Sequence, residues 1–550
     1  MANDHEVAFP VLSAEDLAAL TARGHHRSVR AGEVLFAEGD RDFCFFVVVE
    51  GQVEIVEHSR GTPHQVALHQ AGEFTGDVDM LSGRSALVTA QAATDGRVVE
   101  LSTGELRRAV DELPELGETI VKAFLTRRHL LLDEGFQGFR IIGSRFSPEA
   151  HRLRDFATRN AIPFRFMDLE TDEQADAILR QLGIPVSATP IVMGGDGEWW
   201  SNPSAADIGA CMGLVSPMEE GHVYDLVVVG AGPAGLAASV YAASEGLDVL
   251  TADALAAGGQ AGTSSRIENY LGFPAGISGA DLTQNALIQA QRFGARITVP
   301  CTVKSLGVNG GERVVTLTDG TRLRTRCVLV ASGVSYRKLE IPNFSEFEGA
   351  GIYYAATDME ARLCRGEEIV VVGGGNSAGQ AIVYLAKYAR RVHVLVRKAD
   401  LGTSMSRYLV DRVEGLKNVT VHRGCAVAGL DGNGQLSSVH VGNGTRETRK
   451  IETKALFLFI GADANTGWLS GCVDMDRKGF VLTGTELPAG TTDAERWRAA
   501  GRAPFLLETS LPGVFAAGDV RSGSAKRVAA AVGEGSMAVS FVHAHIARPA

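Results

Sequence analysis

Two short glycine patterns in the second half of the chain have the spacing that binds a dinucleotide. The first places Gly230, Gly232 and Gly235 between a β-branched run that starts at Asp225 and a segment rich in small residues. The first glycine permits a tight turn, the second lets the backbone approach a pyrophosphate, and the third lets helix and strand pack closely. The helix N-terminus then faces the phosphates, and Asp253 is placed to accept from a ribose 2′-hydroxyl.

The second pattern follows the apolar run that starts at Glu368. Its motif residues are Gly373, Gly375, Asn376, Ser377 and Ala378. Arg397 and Lys398 end the next predicted strand, where the first unit has an acid. Two cations there would pair with a 2′-phosphate, which favours NADPH over NADH; a solvated basic turn is the alternative.

The elements that must position these residues show three successive patterns. Short apolar runs between glycine turns predict a small antiparallel β-roll over residues 14–100, and helical spacing predicts two helices over 103–134. Strands and helices alternate from 139 to 216, which predicts a compact α/β unit. Beyond residue 222 the two glycine patterns repeat one nucleotide-binding unit, so we predict two α/β domains of one type.

Composition excludes several classes of function. The 550 residues are 45% hydrophobic and 21% charged, an ordinary globular composition, and the net charge of −12 argues against nucleic-acid or anionic-membrane binding. The N-terminus has no leader pattern and glycines break the uncharged run 226–244, so we expect a cytoplasmic protein without a membrane span. The seven cysteines include no C-x-x-C pair, and we predict no metal site.

Residues 222–550 resemble the low-molecular-weight thioredoxin reductase family. The matching stretches are Gly258-Gly259-Gln260, Ile267-Glu268-Asn269-Tyr270, the 373–378 motif and the strand that ends in Gly518-Asp519. The resemblance implies a two-dinucleotide-domain α/β flavoprotein, with an FAD domain at 222–341 and 506–550 and an NAD(P)H domain at 342–480. Hydride would pass from NADPH to FAD, because the cofactors carry the redox change.

The same resemblance assigns residues to the flavin. Asp519 would reach a ribityl hydroxyl, and the following helix, about 526–545, would point its N-terminus at the flavin ring. The further residues that it places at the flavin are Gln260, Asn269, Gly333, Gly518, Lys526, Arg527 and Val528.

The redox centre departs from the family pattern. The family carries a C-A-T-C dithiol just before the NADPH strand, whereas here Ala355 and Asp358 stand at the two cysteine positions. Neither side chain can form a disulfide or a thiolate adduct with the flavin. We expect Tyr353, Tyr354 and Asp358 to shape a pocket for an external acceptor, with plain packing as the alternative. No catalytic dithiol is predicted.

Residues 10–135 resemble the cyclic-nucleotide-binding domain shared by catabolite activator proteins and cyclic-nucleotide-regulated kinases. The stretch Gly76–Ala86 carries most of the resemblance. It implies that Arg84 and Ser85 take the cyclic phosphate of cAMP or cGMP, with Gly76 in the same turn. Asp77, where the family usually has Glu, would contact the ribose. A vestigial or differently liganded domain is the alternative.

Residues 139–216 resemble a thioredoxin or glutaredoxin fold. Thr189-Pro190 stands at the position of the family's cis-proline, and Ser144 and Ser147 stand at its two cysteines. Because the thiols are missing, we expect a docking or spacer module and not a catalyst.

Three functions follow from these patterns. The first is an NADPH-dependent FAD oxidoreductase, homodimeric by resemblance, that reduces an external acceptor such as ferredoxin, flavodoxin, a quinone or another oxidant. The second is a cyclic-nucleotide or redox sensor with low turnover. The third is a thioredoxin-disulfide reductase that uses non-standard cysteines and a thioredoxin-like acceptor.

Overall fold

The structure is a computed structural model that describes residues 2–41, 43–57, 64–133, 139–194, 198–219, 221–264, 266–267, 269–309, 311–348, 350–356, 358–443, 448–491 and 495–547. The chain divides into two compact units. The first comprises Met1–Gly143, Phe156–Met218 and Ile288–Pro300; the second comprises Ser144–Asp155, Glu219–Leu287 and Cys301–Ala550. None of the helices in these ranges combines the length and apolar character that crossing a lipid bilayer requires.

The first unit begins with an antiparallel roll. Its strands are β1 (His25–Val29), β2 (Val34–Phe36), β3 (Phe45–Glu50), β4 (Val53–Glu57), β5 (His64–His69), β6 (Thr89–Ala92) and β7 (Gly96–Leu101). They form two sheets, in the orders β1-β7-β3 and β2-β6-β4-β5. The helices are α1 (Ala2–Ala8), α2 (Ala14–Thr21), α3 (Val78–Ser82), α4 (Thr103–Glu112) and α5 (Pro114–Asp133). Phe45, Phe74 and Phe124 fill the core, so the roll closes on α5.

A mixed α/β sheet follows in the chain. Its elements are β8 (Phe139–Gly143), α6 (Pro148–Arg159), β9 (Phe164–Asp168), α7 (Glu173–Gln181), β10 (Ile191–Met193), β11 (Trp199–Ser201) and α8 (Ala205–Cys211). The strand order is β11-β10-β8-β9, with β8 parallel to β9 and antiparallel to β10. The Thr189–Pro190 peptide bond, just before β10, is cis.

The second unit holds both glycine patterns. The elements around the first are β12 (Val223–Val229), α9 (Pro233–Ser244), β13 (Val249–Ala252), α10 (Gly279–Arg292), β14 (Arg296–Thr298), β15 (Val303–Asn309), β16 (Glu312–Leu317), β17 (Arg322–Val330) and β18 (Val334–Tyr336). Strand β12 lies between β13 and β17 and is parallel to both. The first half of β17 also pairs with the antiparallel strand β16, which in turn pairs with β15.

The elements around the second pattern form a separate sheet. They are β19 (Ile352–Tyr353), α11 (Asp358–Leu363), β20 (Glu368–Val372), α12 (Asn376–Leu385), β21 (Arg391–Val396), α13 (Arg407–Glu414), β22 (Val419–Arg423), β23 (Ala426–Gly432), β24 (Leu436–Gly442), β25 (Thr448–Glu452), β26 (Leu456–Leu458) and β27 (Ala462–Ala464). The parallel order is β19-β26-β20-β21-β22, and β23-β24-β25 make an antiparallel sheet beside it. The predicted repeat of one α/β nucleotide unit is therefore confirmed.

The end of the chain returns to the first of these sheets. After α14 (Glu495–Ala500), strand β28 (Val514–Ala516) pairs in parallel with the last residues of β17. The final helix, α15 (Val528–Ile546), packs along α9. The two helices approach so closely that a Cβ at Gly535 would lie 2.1 Å from the carbonyl oxygen of Ala234.

Candidate functional site

The first glycine turn joins a buried strand to the N-terminus of α9. Leu226, Val227 and Val228 are fully buried because β12 has neighbours on both sides. Gly230 has φ +106°, and a Cβ there would lie 2.3 Å from the carbonyl oxygen of Ala331. A Cβ at Gly232, by contrast, would meet only the Cα of Gly259, at 4.0 Å. The backbone at Gly232 is thus open on the side from which a pyrophosphate would approach.

Three parallel strand ends bring the predicted flavin residues to one edge. Gly230 follows β12, Gly333 follows β17 and Gly518 follows β28, and the carboxyl ends of parallel neighbours meet at the same edge of a sheet. At this edge Asp519 is half-buried and makes no hydrogen bond through its carboxyl group to any described residue. Burial raises the pKa of Asp519. A half-buried carboxyl group without a hydrogen-bond partner among the described residues can accept from a ligand hydroxyl. The residues present therefore fit FAD.

An ion pair that the sequence patterns did not single out holds this turn. The Glu534 carboxylate accepts from the backbone N–H of Gly518 at 2.7 Å and pairs with the Arg521 guanidinium at 2.7 Å. Glu534 is the one acidic residue of α15, a helix made mostly of small and apolar residues. This isolated acidic residue was the feature of the sequence that could have indicated the contact.

Asp253 has a structural role in addition to the predicted one. Its two oxygens accept from the backbone N–H groups of Ala231, Leu255 and Ala256 at 2.8–3.0 Å. The carboxylate therefore ties the end of β13 to the glycine turn. Because each carboxylate oxygen has two lone pairs, a ribose hydroxyl remains compatible with these contacts.

The other predicted flavin residues occupy loops around this edge. The Gln260 side-chain amide donates to the backbone carbonyl of Val334, and Asn269 is exposed. Glu268, in the stretch that carries the resemblance, lies outside the described residues.

The last helix begins slightly later than the sequence indicates. Its first residue is Val528, and Arg527 has extended backbone angles as the N-cap. Lys526 therefore precedes the helix, and its ammonium group donates to the backbone carbonyl of Asp519. Burial lowers the pKa of Lys526. A cation and a helix N-terminus thus lie next to Asp519, an arrangement that stabilises negative charge.

The second glycine turn has the same construction. A Cβ at Gly373 would lie 2.4 Å from the carbonyl oxygen of Phe459. Gly375 is the N-cap of α12, Ser377 is exposed and Ala378 is buried. The Asn376 side-chain oxygen accepts from both the backbone and the hydroxyl of Ser406 at 2.7 Å, which anchors the turn.

The basic pair directly follows β21. Arg397 and Lys398 are both exposed, and neither has an ion pair or hydrogen bond with a described residue. Two free cations at the carboxyl end of a strand next to the glycine turn are available to a phosphate on an adenosine ribose.

The position of the family dithiol holds buried small and aromatic side chains. Ala355 is 9% exposed, and Tyr353 is buried, with its ring 5.4 Å from that of Phe457. Burial raises the pKa of the Tyr353 phenol. The backbone of Asp358 begins α11, but its side chain lies outside the described residues.

Tyr354 is more open than its neighbour. Its ring stacks on Tyr336 at 5.6 Å with an interplanar angle of 6°, and its hydroxyl donates to Glu348 at 2.5 Å. Burial raises the pKa of the Tyr354 phenol, so this hydroxyl keeps its proton. Tyr353 is therefore buried against Phe457, whereas Tyr354 and its stacked partner Tyr336 are half-buried.

None of the seven cysteines is in a disulfide bond. Cys364, the one nearest the dithiol position, is fully buried, and burial raises its pKa to about 12. Such a thiol is not nucleophilic at neutral pH. The described residues include no cluster of three or more His, Cys, Asp or Glu side chains that could hold a metal ion.

The predicted cyclic-nucleotide residues divide between two places. Gly76 and Asp77 line a cavity of about 300 Å³ inside the roll. Arg84 and Ser85 do not: the Arg84 guanidinium donates to the carbonyl of Asn160 at 3.1 Å. Asp77 caps α3, where its side chain accepts from the N–H of Asp79. The predicted phosphate and ribose ligands are thus not brought to one cavity.

Comparison with known proteins finds a matching family for each of two parts of the chain. Residues 224–535 match the model for pyridine nucleotide-disulphide oxidoreductases, and residues 26–112 match that for cyclic nucleotide-binding domains. The NADPH-dependent thioredoxin reductase 3 of Arabidopsis thaliana is 35% identical over 324 residues, which are 58% of this chain but only 57% of that protein. The Streptomyces clavuligerus thioredoxin reductase is 31% identical over 59% of this chain and 94% of its own length.

A solved structure gives the same result. Lactococcus lactis thioredoxin reductase in its FR conformation superposes with a TM-score of 0.52 at 25% identity, covering 59% of this chain and 99% of that one. The chain belongs to the pyridine nucleotide-disulphide oxidoreductase family. Within that family it is a thioredoxin reductase-like flavin oxidoreductase, fused to an N-terminal domain of the cyclic nucleotide-binding type. FAD and NADPH are the cofactors typical of such reductases.

Proposed function

We propose that the chain is an NADPH-dependent FAD oxidoreductase that passes electrons to an external acceptor and not through its own thiols. The observation that carries the proposal is the pair Ala355 and Asp358 at the dithiol position, in a chain whose seven cysteines form no disulfide. When bound, FAD accepts hydride from the nicotinamide and passes the electrons on.

The residues of the chain bind and orient the two nucleotides. The turn at Gly230–Gly235 and the N-terminus of α9 would hold the FAD pyrophosphate, and Asp519 would accept from a ribityl hydroxyl. Lys526 and the start of α15 would favour electron density on the flavin. The free cations Arg397 and Lys398 support NADPH as the donor.

Tyr354 supports an acceptor that approaches the surface. Stacked on Tyr336 and hydrogen-bonded to Glu348, it offers a flat aromatic face near the position from which the dithiol is missing. Ferredoxin, flavodoxin, a quinone and another small oxidant are the candidate acceptors. The mixed sheet over 139–201 supports a thioredoxin-like module, in which Ser147 makes turn contacts instead of redox chemistry.

The test is steady-state NADPH oxidation by the purified full chain against ferricyanide, menadione, oxygen, flavodoxin and a disulfide such as 5,5′-dithiobis(2-nitrobenzoate). We expect turnover with at least one non-disulfide acceptor and the same rate in a variant with all seven cysteines changed to serine. A flavin that stays oxidised with both NADPH and NADH in a stopped-flow experiment would overturn the proposal.

The same assay also tests the second candidate function. The names of the thioredoxin reductase relatives favour disulfide reduction as the second candidate function. It predicts NADPH-dependent thioredoxin reduction that the cysteine-free variant loses. Homodimerisation, by the same resemblance, is tested by light scattering on the full chain.

A further inference from the structure

The cavity inside the roll does not have the lining that a cyclic nucleotide requires. It measures about 300 Å³, at the lower end of the range for small-molecule sites. Eleven of its sixteen described lining residues have apolar side chains, including Phe36 and Phe43. Apart from Gly76, the others are His5, His69, Asp77 and Arg127.

No described cation of the lining is free to bind a phosphate. Arg127 is buried, and its three nitrogens donate to the backbone carbonyls of Ala8, Gly76 and Phe74 at 2.6–3.0 Å. Its guanidinium lies 4.7 Å from the centre of the Phe74 ring. Burial lowers the pKa of Arg127 to about 9, while the nearby carboxyl groups of Asp77 and Glu73 oppose this shift. A buried phosphodiester needs a charge-assisted partner, and Arg84 is turned away towards Asn160.

The polar groups that remain are acceptors. His69 is 1% exposed, and its Nδ1 lies 3.4 Å from the Glu73 carboxylate. Because a carboxylate only accepts, the ring proton is on Nδ1 and Nε2 is an acceptor on a residue that lines the cavity. Asp77 also lines the cavity; its carboxyl group accepts from the N–H of Asp79 and lies 3.6 Å from the Arg128 guanidinium. Burial lowers the pKa of His69 to about 4, which keeps the imidazole neutral at physiological pH.

We propose that this cavity binds an uncharged, mainly apolar small molecule that carries a hydroxyl group, with the hydroxyl donating to His69. The apolar lining takes the body of the ligand, since the transfer of apolar surface from water into an apolar environment is favourable. A cyclic nucleotide would instead bring its phosphate charge into a cavity whose described arginine, Arg127, already donates to three backbone carbonyls. The site is thus a ligand site of a new chemical class within a domain of the cyclic nucleotide-binding type.

The first experiment titrates the full chain with Nile red, an uncharged apolar dye that emits at longer wavelengths than the flavin. We expect saturable binding with one dye per chain. Ala67→Phe and, as a second filler, Val88→Phe should each weaken it at least tenfold, because both residues line the cavity. Leu68→Phe is the matched control: Leu68 is the next residue of β5 but is 37% exposed and does not line the cavity.

The second experiment tests the hydroxyl by displacing the dye with 1-naphthol or 1-methylnaphthalene. One neutral hydrogen bond should give 1-naphthol an advantage of about fivefold, and His69→Phe should abolish it. Equal dye binding in both filled variants would place the dye elsewhere and overturn the proposal. Displacement by micromolar cAMP or cGMP, lost in Ala67→Phe, would also overturn it and restore the cyclic nucleotide as the ligand.

Discussion

The Glu534 carboxylate accepts the backbone N–H of Gly518 at 2.7 Å and thereby fixes the residue that precedes Asp519. Glu534→Ala removes this acceptor and the nearer of the two carboxylates that pair with Arg521, at a cost of about 1–3 kcal/mol. We expect the purified variant to retain less FAD, measured as the ratio of absorbance at 450 nm to that at 280 nm.

Glu245→Ala is the matched control, because Glu245 pairs with His543 near the other end of α15. It should retain flavin like the parent chain. Full flavin content in Glu534→Ala would show that the turn does not depend on this contact.

The free basic pair after β21 should set the choice of nicotinamide cofactor. Arg397→Ala/Lys398→Ala should raise KM for NADPH by about tenfold to a hundredfold, the value of a charged hydrogen bond, and leave KM for NADH unchanged. Lys417→Ala removes another exposed cation, in the turn before β22, and should change neither constant. An unaltered ratio of the two KM values in the double variant would mean that the pair is only a solvated turn.

A buried ion pair stabilises the turn around α3. Arg128 donates to both oxygens of Asp79 at 3.0 and 3.1 Å, and both side chains are buried. Asp79→Asn should lower the free energy of unfolding of the first unit by about 3 kcal/mol, because the buried Arg128 then keeps only the more distant Asp77 carboxylate, at 3.6 Å, as its counterion. Replacing both residues by leucine should recover most of that loss in denaturant titration; a double variant as unstable as the single one would contradict this account.

The buried imidazole of His69 should give the first unit a pH-dependent stability. Its pKa is lowered by burial to about 4, from 6.5, so between these values the unfolded chain binds more protons than the folded one. Stability is therefore complete above pH 6.5 and falls as the pH drops towards 4, by about 3 kcal/mol in total.

Denaturant titration from pH 4.5 to 7.5 checks this prediction. Glu73, which raises the His69 pKa, and Arg127, which lowers it, are the charged groups that act on the imidazole, and His5 lines the same cavity. His69→Gln, which carries no proton, should lose this part of the slope. An unchanged slope in the variant would assign the pH dependence to other groups.

The nucleotide turns were predictable from sequence because their requirements are local. Gly230 and Gly373 follow buried strands rich in β-branched residues, and a Cβ at either position would clash with a backbone carbonyl oxygen. Contacts between distant segments were not predictable in this way. Arg84 reaches the carbonyl of Asn160, 76 residues away, and that contact decides which side of the turn it faces. The contact between Glu534 and the backbone of Gly518 likewise depends on how α15 packs, so the partner of Glu534 was not predictable from the sequence.

The flavin edge is assembled from segments that the ribosome makes far apart in time. Strand β28 and helix α15 emerge after the entire nicotinamide sheet, and the contact of Gly535 with Ala234 forms only then. We therefore expect the nicotinamide domain to fold on the nascent chain while β17 still lacks β28. FAD would then be bound only after β28 and α15 have been synthesised.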